Sequence, residues 1–221
     1  MALYIDCAYL DDIIQVAKTI PLAGVTMNPT ILLAARERGQ RLDPLSLLRE
    51  LVQSVGGTIF MQPGATSEEE MLREALAYSE VAPGRVIPKI PMTQTGMRVA
   101  LRLRLLKHHV AFTAVCSVAQ AYSAAMAQAD FVIPYFNRME RAGVDASERI
   151  AQMAELLHSQ QLPTRILAAS IKTRVEAATA LLAGAHDLTM TPPVLLDMVV
   201  DQQSERAVEQ FSQDWQKMNT L

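Results

Sequence analysis

The chain has 221 residues, half of them apolar, with 20 basic against 23 acidic side chains and a formal net charge of -3. A chain of this size buries about 70% of the surface its unfolded state exposes, so it can carry its own core, and it is short for two ordinary domains. The near balance of charge leaves no global field to hold nucleic acid or an anionic membrane, so any anion it binds must meet a local cluster of cations.

Short apolar runs rich in β-branched or aromatic residues begin near Leu3, Gly24, Thr58, Val86, Val110, Phe131, Thr164 and Asp187, and longer amphipathic stretches separate most of them. Each interval is the size of one strand, one helix and two short loops. Strands alternating with helices imply a parallel sheet, and eight such units imply closure. The expected fold is α/β, a single (β/α)8 TIM barrel over residues 1–221.

The turns after the runs support strand-to-helix junctions. Capping-box spacing occurs at Ser67 and Glu70, Ser117 and Gln120, and Thr173 and Glu176, while Asp43-Pro44 and Thr191-Pro192 pair a cap with a proline that fits the first helical turn. The polar stretch Arg36-Glu37-Arg38-Gly39-Gln40-Arg41 lies in the long second interval and reads as a solvated loop or helix edge. Beyond the eighth unit, about 202–218 form an extra helix whose Ala207, Phe211 and Trp215 share one face. That stripe must dock on its own barrel or on a neighbouring subunit.

Cys7 and Cys116 sit in apolar runs with no CxxC spacing, so both are expected to be buried thiols in a reducing compartment. Asp6 interrupts the stretch an export signal would need, and no later segment is apolar enough to span a membrane, so a soluble, cytoplasmic protein is expected. His108, His109, His158 and His186 show no metal-ligand spacing, and no metal or other cofactor is expected.

In such a barrel the reactive groups sit where strands end. In order, these ends offer Asp6; Thr26 and Asn28; Gln62; Lys89; Thr113; Tyr135, Asn137 and Arg138; Ser170 and Lys172; and Thr189. Thr26 and Thr189 are also ordinary turn residues, so Thr26 is a substrate-binding candidate by position alone. Lys89 is different, because in Val86-Ile87-Pro88-Lys89-Ile90-Pro91 it shares a strand face with Ile87. A lysine there either snorkels outward or is buried for a reason. Burial shifts the amine towards neutrality, and a neutral amine is what carbonyl addition requires. Asp6 and Gln62, ending apolar strands, are either catalytic or members of a structural hydrogen-bond network. Arg138, Lys172 and Ser170 read as a phosphate clamp, the alternative being two surface cations.

Taken together, Leu3-Tyr4-Ile5-Asp6, Pro21 to Thr30, Lys89-Ile90-Pro91-Met92-Thr93, Pro134-Tyr135-Phe136-Asn137-Arg138, Leu167 to Thr173 and Phe211 to Trp215 resemble the fructose-6-phosphate aldolase and transaldolase family. The resemblance implies a (β/α)8 barrel with Lys89 as Schiff-base nucleophile. It also implies that Asp6 and Asn28 hold substrate hydroxyls, that Gln62, Thr113 and Tyr135 position a catalytic water and relay a proton, and that Arg138 and Ser170, supported by Lys172, take the substrate phosphate. Gln62 and Tyr135 resemble the free-aldolase branch, where transaldolases tend to carry Glu and Phe. The implied reaction is reversible cleavage of fructose 6-phosphate, or a closely related ketose, to dihydroxyacetone and glyceraldehyde 3-phosphate. The alternatives are dihydroxyacetone transfer by a transaldolase and a non-catalytic sugar-phosphate-binding protein. The terminal helix resembles a subunit-bridging element and implies a ring-like homo-oligomer, a pentamer or decamer. Phe112 and Ile133 depart from the family by added bulk, and Pro63, Pro88 and Met27 flank key positions, so a narrowed pocket or a reset side-chain direction is expected there.

Overall fold

The computed structural model describes residues 1–220. In chain order the elements are β1 (Ala2–Asp6), α1 (Leu10–Ala17), β2 (Gly24–Met27), α2 (Pro29–Glu37), α3 (Pro44–Ser54), β3 (Thr58–Met61), α4 (Glu68–Val81), β4 (Val86–Pro91), α5 (Gln94–Leu105), β5 (Ala111–Val115), α6 (Val118–Met126), β6 (Phe131–Pro134), α7 (Phe136–Arg141), α8 (Ala146–Ser159), β7 (Arg165–Ile171), α9 (Arg174–Leu182), β8 (Asp187–Met190), α10 (Pro192–Asp197) and α11 (Gln202–Met218). The strands close in sequence order into an all-parallel barrel, with β8 paired back onto β1. The eight apolar runs of the sequence are the eight strands, so the α/β TIM-barrel expectation holds.

The long second interval contains two helices, α2 and α3; Arg36 and Glu37 end the first and the rest of the polar stretch turns into the second. Local capping explains most helix starts, but not uniformly. Ser117 and Gln120 form the full reciprocal box, and the Asp43 carboxylate accepts from the Leu45 and Ser46 amides. Ser67 instead donates its hydroxyl to the Glu70 carboxylate at 2.6 Å and leaves the backbone uncapped, and Thr191 makes no side-chain cap. At α9 the Thr173 hydroxyl caps the Glu176 amide, but the Glu176 carboxylate goes elsewhere.

Two apolar layers result from strand alternation. The outer one, between sheet and helices, includes Ile5, Val25, Met61, Ile90, Phe112 and Leu188. The inner one fills the barrel with Tyr4, Phe60, Ile87, Ala111, Ile133 and Leu167, and edge-on aromatic contacts join Tyr4 to Phe60 at 5.4 Å and Phe60 to Phe131 at 5.0 Å. Cys7 is buried as expected, and burial pushes its thiol up to about 11, but Cys116 is exposed where the chain leaves β5. The apolar neighbours of Cys116 in sequence belong to the strand end and the helix face on either side of it, not to its own surroundings.

Closure of the barrel bottom depends on close backbone approach at Gly57. Its φ is +81°, and a Cβ there would lie 1.9 Å from the Ala23 carbonyl oxygen, which accepts the Thr58 amide. Gly57→Ala is therefore expected to cost about 3 kcal/mol or more. For a chain of this length that is a fall in Tm of roughly 6 to 12 °C. A thermal melt matching the unsubstituted protein would contradict this packing.

Helix α11 stands apart. None of its residues is buried, and Val208, Phe211 and Trp215 are 64%, 68% and 63% exposed. Its apolar stripe is not docked on its own barrel. Among the described residues no helix is long and apolar enough to cross a membrane.

Candidate active site

The C-terminal ends of the strands open into a cavity of about 430 Å³. Nine sequence candidates line it: Asp6 from β1, Asn28 after β2, Gln62 after β3, Lys89 from β4, Thr113 from β5, Tyr135 after β6, Arg138 from α7, and Ser170 and Lys172 at the end of β7. Residues far apart in sequence converge because all lie at or just after the C-terminal ends of strands of the same barrel.

Of the other strand-end candidates, Asn137 and Thr189 do not line the cavity, and neither does Thr26. Thr26 lies fully buried beneath the wall, where its hydroxyl donates to the Asp6 carboxylate at 2.7 Å and accepts from the Thr189 hydroxyl at 2.7 Å. Thr26 faces the barrel interior one layer below the opening, so it holds Asp6 rather than reaching the cavity. Asn28 divides its amide: the side-chain oxygen caps α2 through the Ile31 amide at 3.0 Å, while the residue also lines the cavity.

Lys89 is 2% exposed and stays on the interior face with Ile87; strand β4 runs through Pro88 without turning it outward. Burial pushes its amine below the ordinary lysine range, and the negative charge of Asp6 only partly opposes that. Among the described residues no carboxylate comes within ion-pair distance of Lys89. The site therefore contains a buried amine that gains little from holding its proton.

Beside it, the Thr113 hydroxyl and the Tyr135 phenol share a hydrogen bond of 2.9 Å. Burial raises the phenol above its ordinary range, while the Thr113 bond and Arg138 pull it back in part. The Arg138 guanidinium lies 4.6 Å from the centre of the Tyr135 ring, so the arginine is stacked on that ring at the rim.

The structure also revises the expected crowding. Phe112 points into the outer core between sheet and helices, on the face opposite Thr113, and Ile133 packs in the inner layer below Tyr135. Neither lines the cavity. Alternation along the strand explains both: Phe112, immediately before Thr113, faces away from the site, and Ile133, two residues before Tyr135, shares its face one layer lower.

Ala114 lines the cavity and was not legible as a site residue. It sits at a register shift in β5 with φ of 58°, and Ser170 sits at a matching shift in β7 with φ of 59°. Left-handed backbone at a non-glycine residue costs on the order of 1 to 2 kcal/mol, and such bulges re-aim side chains beside sites. Among the described residues no group of His, Cys, Asp or Glu is arranged to hold a metal ion.

With this geometry in view, comparison with known proteins assigns the family. The sequence pattern of the transaldolase/fructose-6-phosphate aldolase family matches residues 3–221. A probable fructose-6-phosphate aldolase of Streptococcus pneumoniae is 33% identical over 217 residues, covering 97% of this chain and 96% of that protein. Solved structures share the fold at low identity. A mutant mandelate oxidase with a monooxide FMN adduct superposes with a TM-score of 0.60 at 13% identity over 87% of this chain and 65% of its own. An inosine 5'-monophosphate dehydrogenase from Legionella pneumophila gives 0.55 at 16% over 77% and 51%. At these identities the likeness is one of barrel architecture, and it is the sequence match over nearly the whole length that decides: the chain belongs to the transaldolase/fructose-6-phosphate aldolase family.

Proposed function

We propose that the protein is a class I aldolase that cleaves fructose 6-phosphate, or a closely related ketose, reversibly to dihydroxyacetone and glyceraldehyde 3-phosphate through an imine on Lys89. The observation that carries this reading is the lone buried amine of Lys89, turned into the cavity and shifted towards neutrality. Neutral Lys89 Nζ adds to the ketose C2 carbonyl, and loss of water leaves the imine. Once protonated, the imine draws electrons as the C3–C4 bond breaks and the C4 hydroxyl loses its proton. The aldehyde phosphate leaves, and the enamine that remains takes a proton at C3 before water releases dihydroxyacetone and restores the amine.

Asp6 and Asn28 hold the hydroxyls beside the imine. Gln62, Thr113 and Tyr135 hold the water and move the proton, and the Thr113–Tyr135 bond supports that pairing. Arg138, Ser170 and Lys172, which share one side of the cavity, take the phosphate. Incubation with fructose 6-phosphate and borohydride is expected to add a reduced-ketose mass to the Lys89 peptide. Folded protein with no adduct overturns the reading and, if the sugar still binds by calorimetry, leaves a binding protein. Tyr135 and Gln62 support release over transfer, so free dihydroxyacetone should exceed transfer to erythrose 4-phosphate; the reverse makes the enzyme a transaldolase.

The unpaired stripe of α11 supports a ring-like homo-oligomer in which this helix covers a neighbour. Light scattering at micromolar concentration is expected to give several times the mass of one chain, and removal of residues 202–221 to reduce it. A monomer for the full chain overturns this.

A further inference from the structure

The Glu176 carboxylate does something an ordinary helix cap does not. At the corresponding place on α6, the Gln120 side-chain oxygen stays local and accepts the Cys116 and Ser117 amides at 2.8 and 3.2 Å. Glu176, in the first turn of α9, uses one oxygen in the same local way, accepting the Lys172 amide at 2.7 Å. Its second oxygen reaches 39 positions back in the chain and accepts the Asn137 side-chain amide at 2.9 Å. Asn137 precedes Arg138 on the short helix α7, and Lys172 lies two residues beyond Ser170.

We propose that Glu176 is a positioning residue that fixes the two halves of the phosphate clamp, Arg138 on α7 and Ser170 on β7 with Lys172 just beyond it, at one separation. This rests on the reading of those residues as a phosphate site. The need for a brace follows from where the halves sit. Arg138 and Lys172 are exposed, α7 has only six residues, and Ser170 is held in left-handed backbone at a bulge. Ladder hydrogen bonding sets the distance between such ends only sparsely, because the paired register of β6 with β7 extends through Val132 and Ile166 and is followed by a single bridge at Tyr135 and Ala169. A carboxylate suits the task, since it accepts from two separate donors at once. A glutamine of the same shape keeps one acceptor and presents an N–H to the other donor.

The test uses Glu176→Gln and the double variant E176Q/N137D. In the double variant the amide oxygen takes the Lys172 N–H and the amide nitrogen donates to the new carboxylate, so both links and the net charge of the wild type return. Inorganic phosphate binding by calorimetry reads the clamp without aldol chemistry. KM and kcat are then measured with glyceraldehyde 3-phosphate and with glyceraldehyde as acceptors of dihydroxyacetone. Loss of one charge-assisted link is expected to weaken phosphate binding and raise KM for glyceraldehyde 3-phosphate about tenfold. The opposing effect of removing one screened negative charge is only about twofold. Kinetics with glyceraldehyde and kcat for both acceptors should stay within about twofold, and the double variant should recover most of the loss. Unchanged phosphate affinity in E176Q overturns the brace, as does an equal loss with both acceptors or a folded double variant that recovers nothing. If the wild type forms no imine with dihydroxyacetone yet phosphate affinity follows this pattern, the aldolase reading falls and the brace stands.

Discussion

Replacing Lys89 with methionine is expected to abolish borohydride trapping and to lower turnover by about 10⁴-fold or more, because the other lysine lining the cavity, Lys172, is exposed rather than buried. The same substitution should make the protein more stable. Folding depresses the Lys89 pKa, so the charged form is penalised in the folded state. That penalty is fully present below the folded pKa and disappears above the unfolded value of about 10.4. Lys89→Met removes it, and a rise in Tm of roughly 2 to 8 °C is expected at neutral pH. The gain should shrink as the pH approaches about 10. Differential scanning calorimetry across that range checks the sign. A variant less stable than wild type at pH 7 contradicts the burial argument, and residual trapping at another lysine contradicts the assignment of the nucleophile.

Tyr135→Phe is expected to separate carbon–carbon cleavage from donor release. The variant keeps the ring that Arg138 stacks on and loses the hydroxyl bonded to Thr113. Imine trapping with fructose 6-phosphate should stay within about twofold, while free dihydroxyacetone formation falls by about 10² to 10⁴-fold, the range for losing a positioned proton donor. Transfer to erythrose 4-phosphate should become the main outcome, since that path regenerates a bond at the same carbon without the phenol's proton. Because burial raises the Tyr135 phenol, the wild-type release rate should show no alkaline fall from this group below about pH 10. Measuring both products over time distinguishes the cases: equal loss of release and transfer would make Tyr135 a general support of the site rather than the donor of that proton.

The sequence carried the barrel and most of the cavity, because both follow from alternation. Eight apolar runs at strand-plus-helix spacing specify closure, and polar residues at the ends of the first seven place side chains at one mouth. What it did not carry depends on which side of a layer a residue occupies. Thr26 is polar and ends a strand, yet it lies beneath Asp6; Phe112 precedes Thr113 and faces away; Cys116 is flanked by apolar residues and is exposed. The β5 and β7 bulges leave no sequence signal, because alanine and serine adopt positive φ only when the surrounding barrel imposes it. Glu176 was legible as a cap from its spacing after Thr173, but its bond to Asn137 joins the first turns of α7 and α9, whose separation only the closed barrel defines.

The position of Trp215 bears on how this protein is studied. It is the only tryptophan in the chain, and it lies on α11, 63% exposed and apart from the barrel core. Its emission is therefore a reporter of the surroundings of that helix, not of the barrel. A denaturation curve followed by intrinsic tryptophan fluorescence will record loss of the helix's surroundings, whereas far-ultraviolet circular dichroism records the strands and helices of the barrel. Non-coincident curves from the two probes would then mark separate events on one chain, and a single fluorescence midpoint would be a poor measure of how firmly the barrel itself is held.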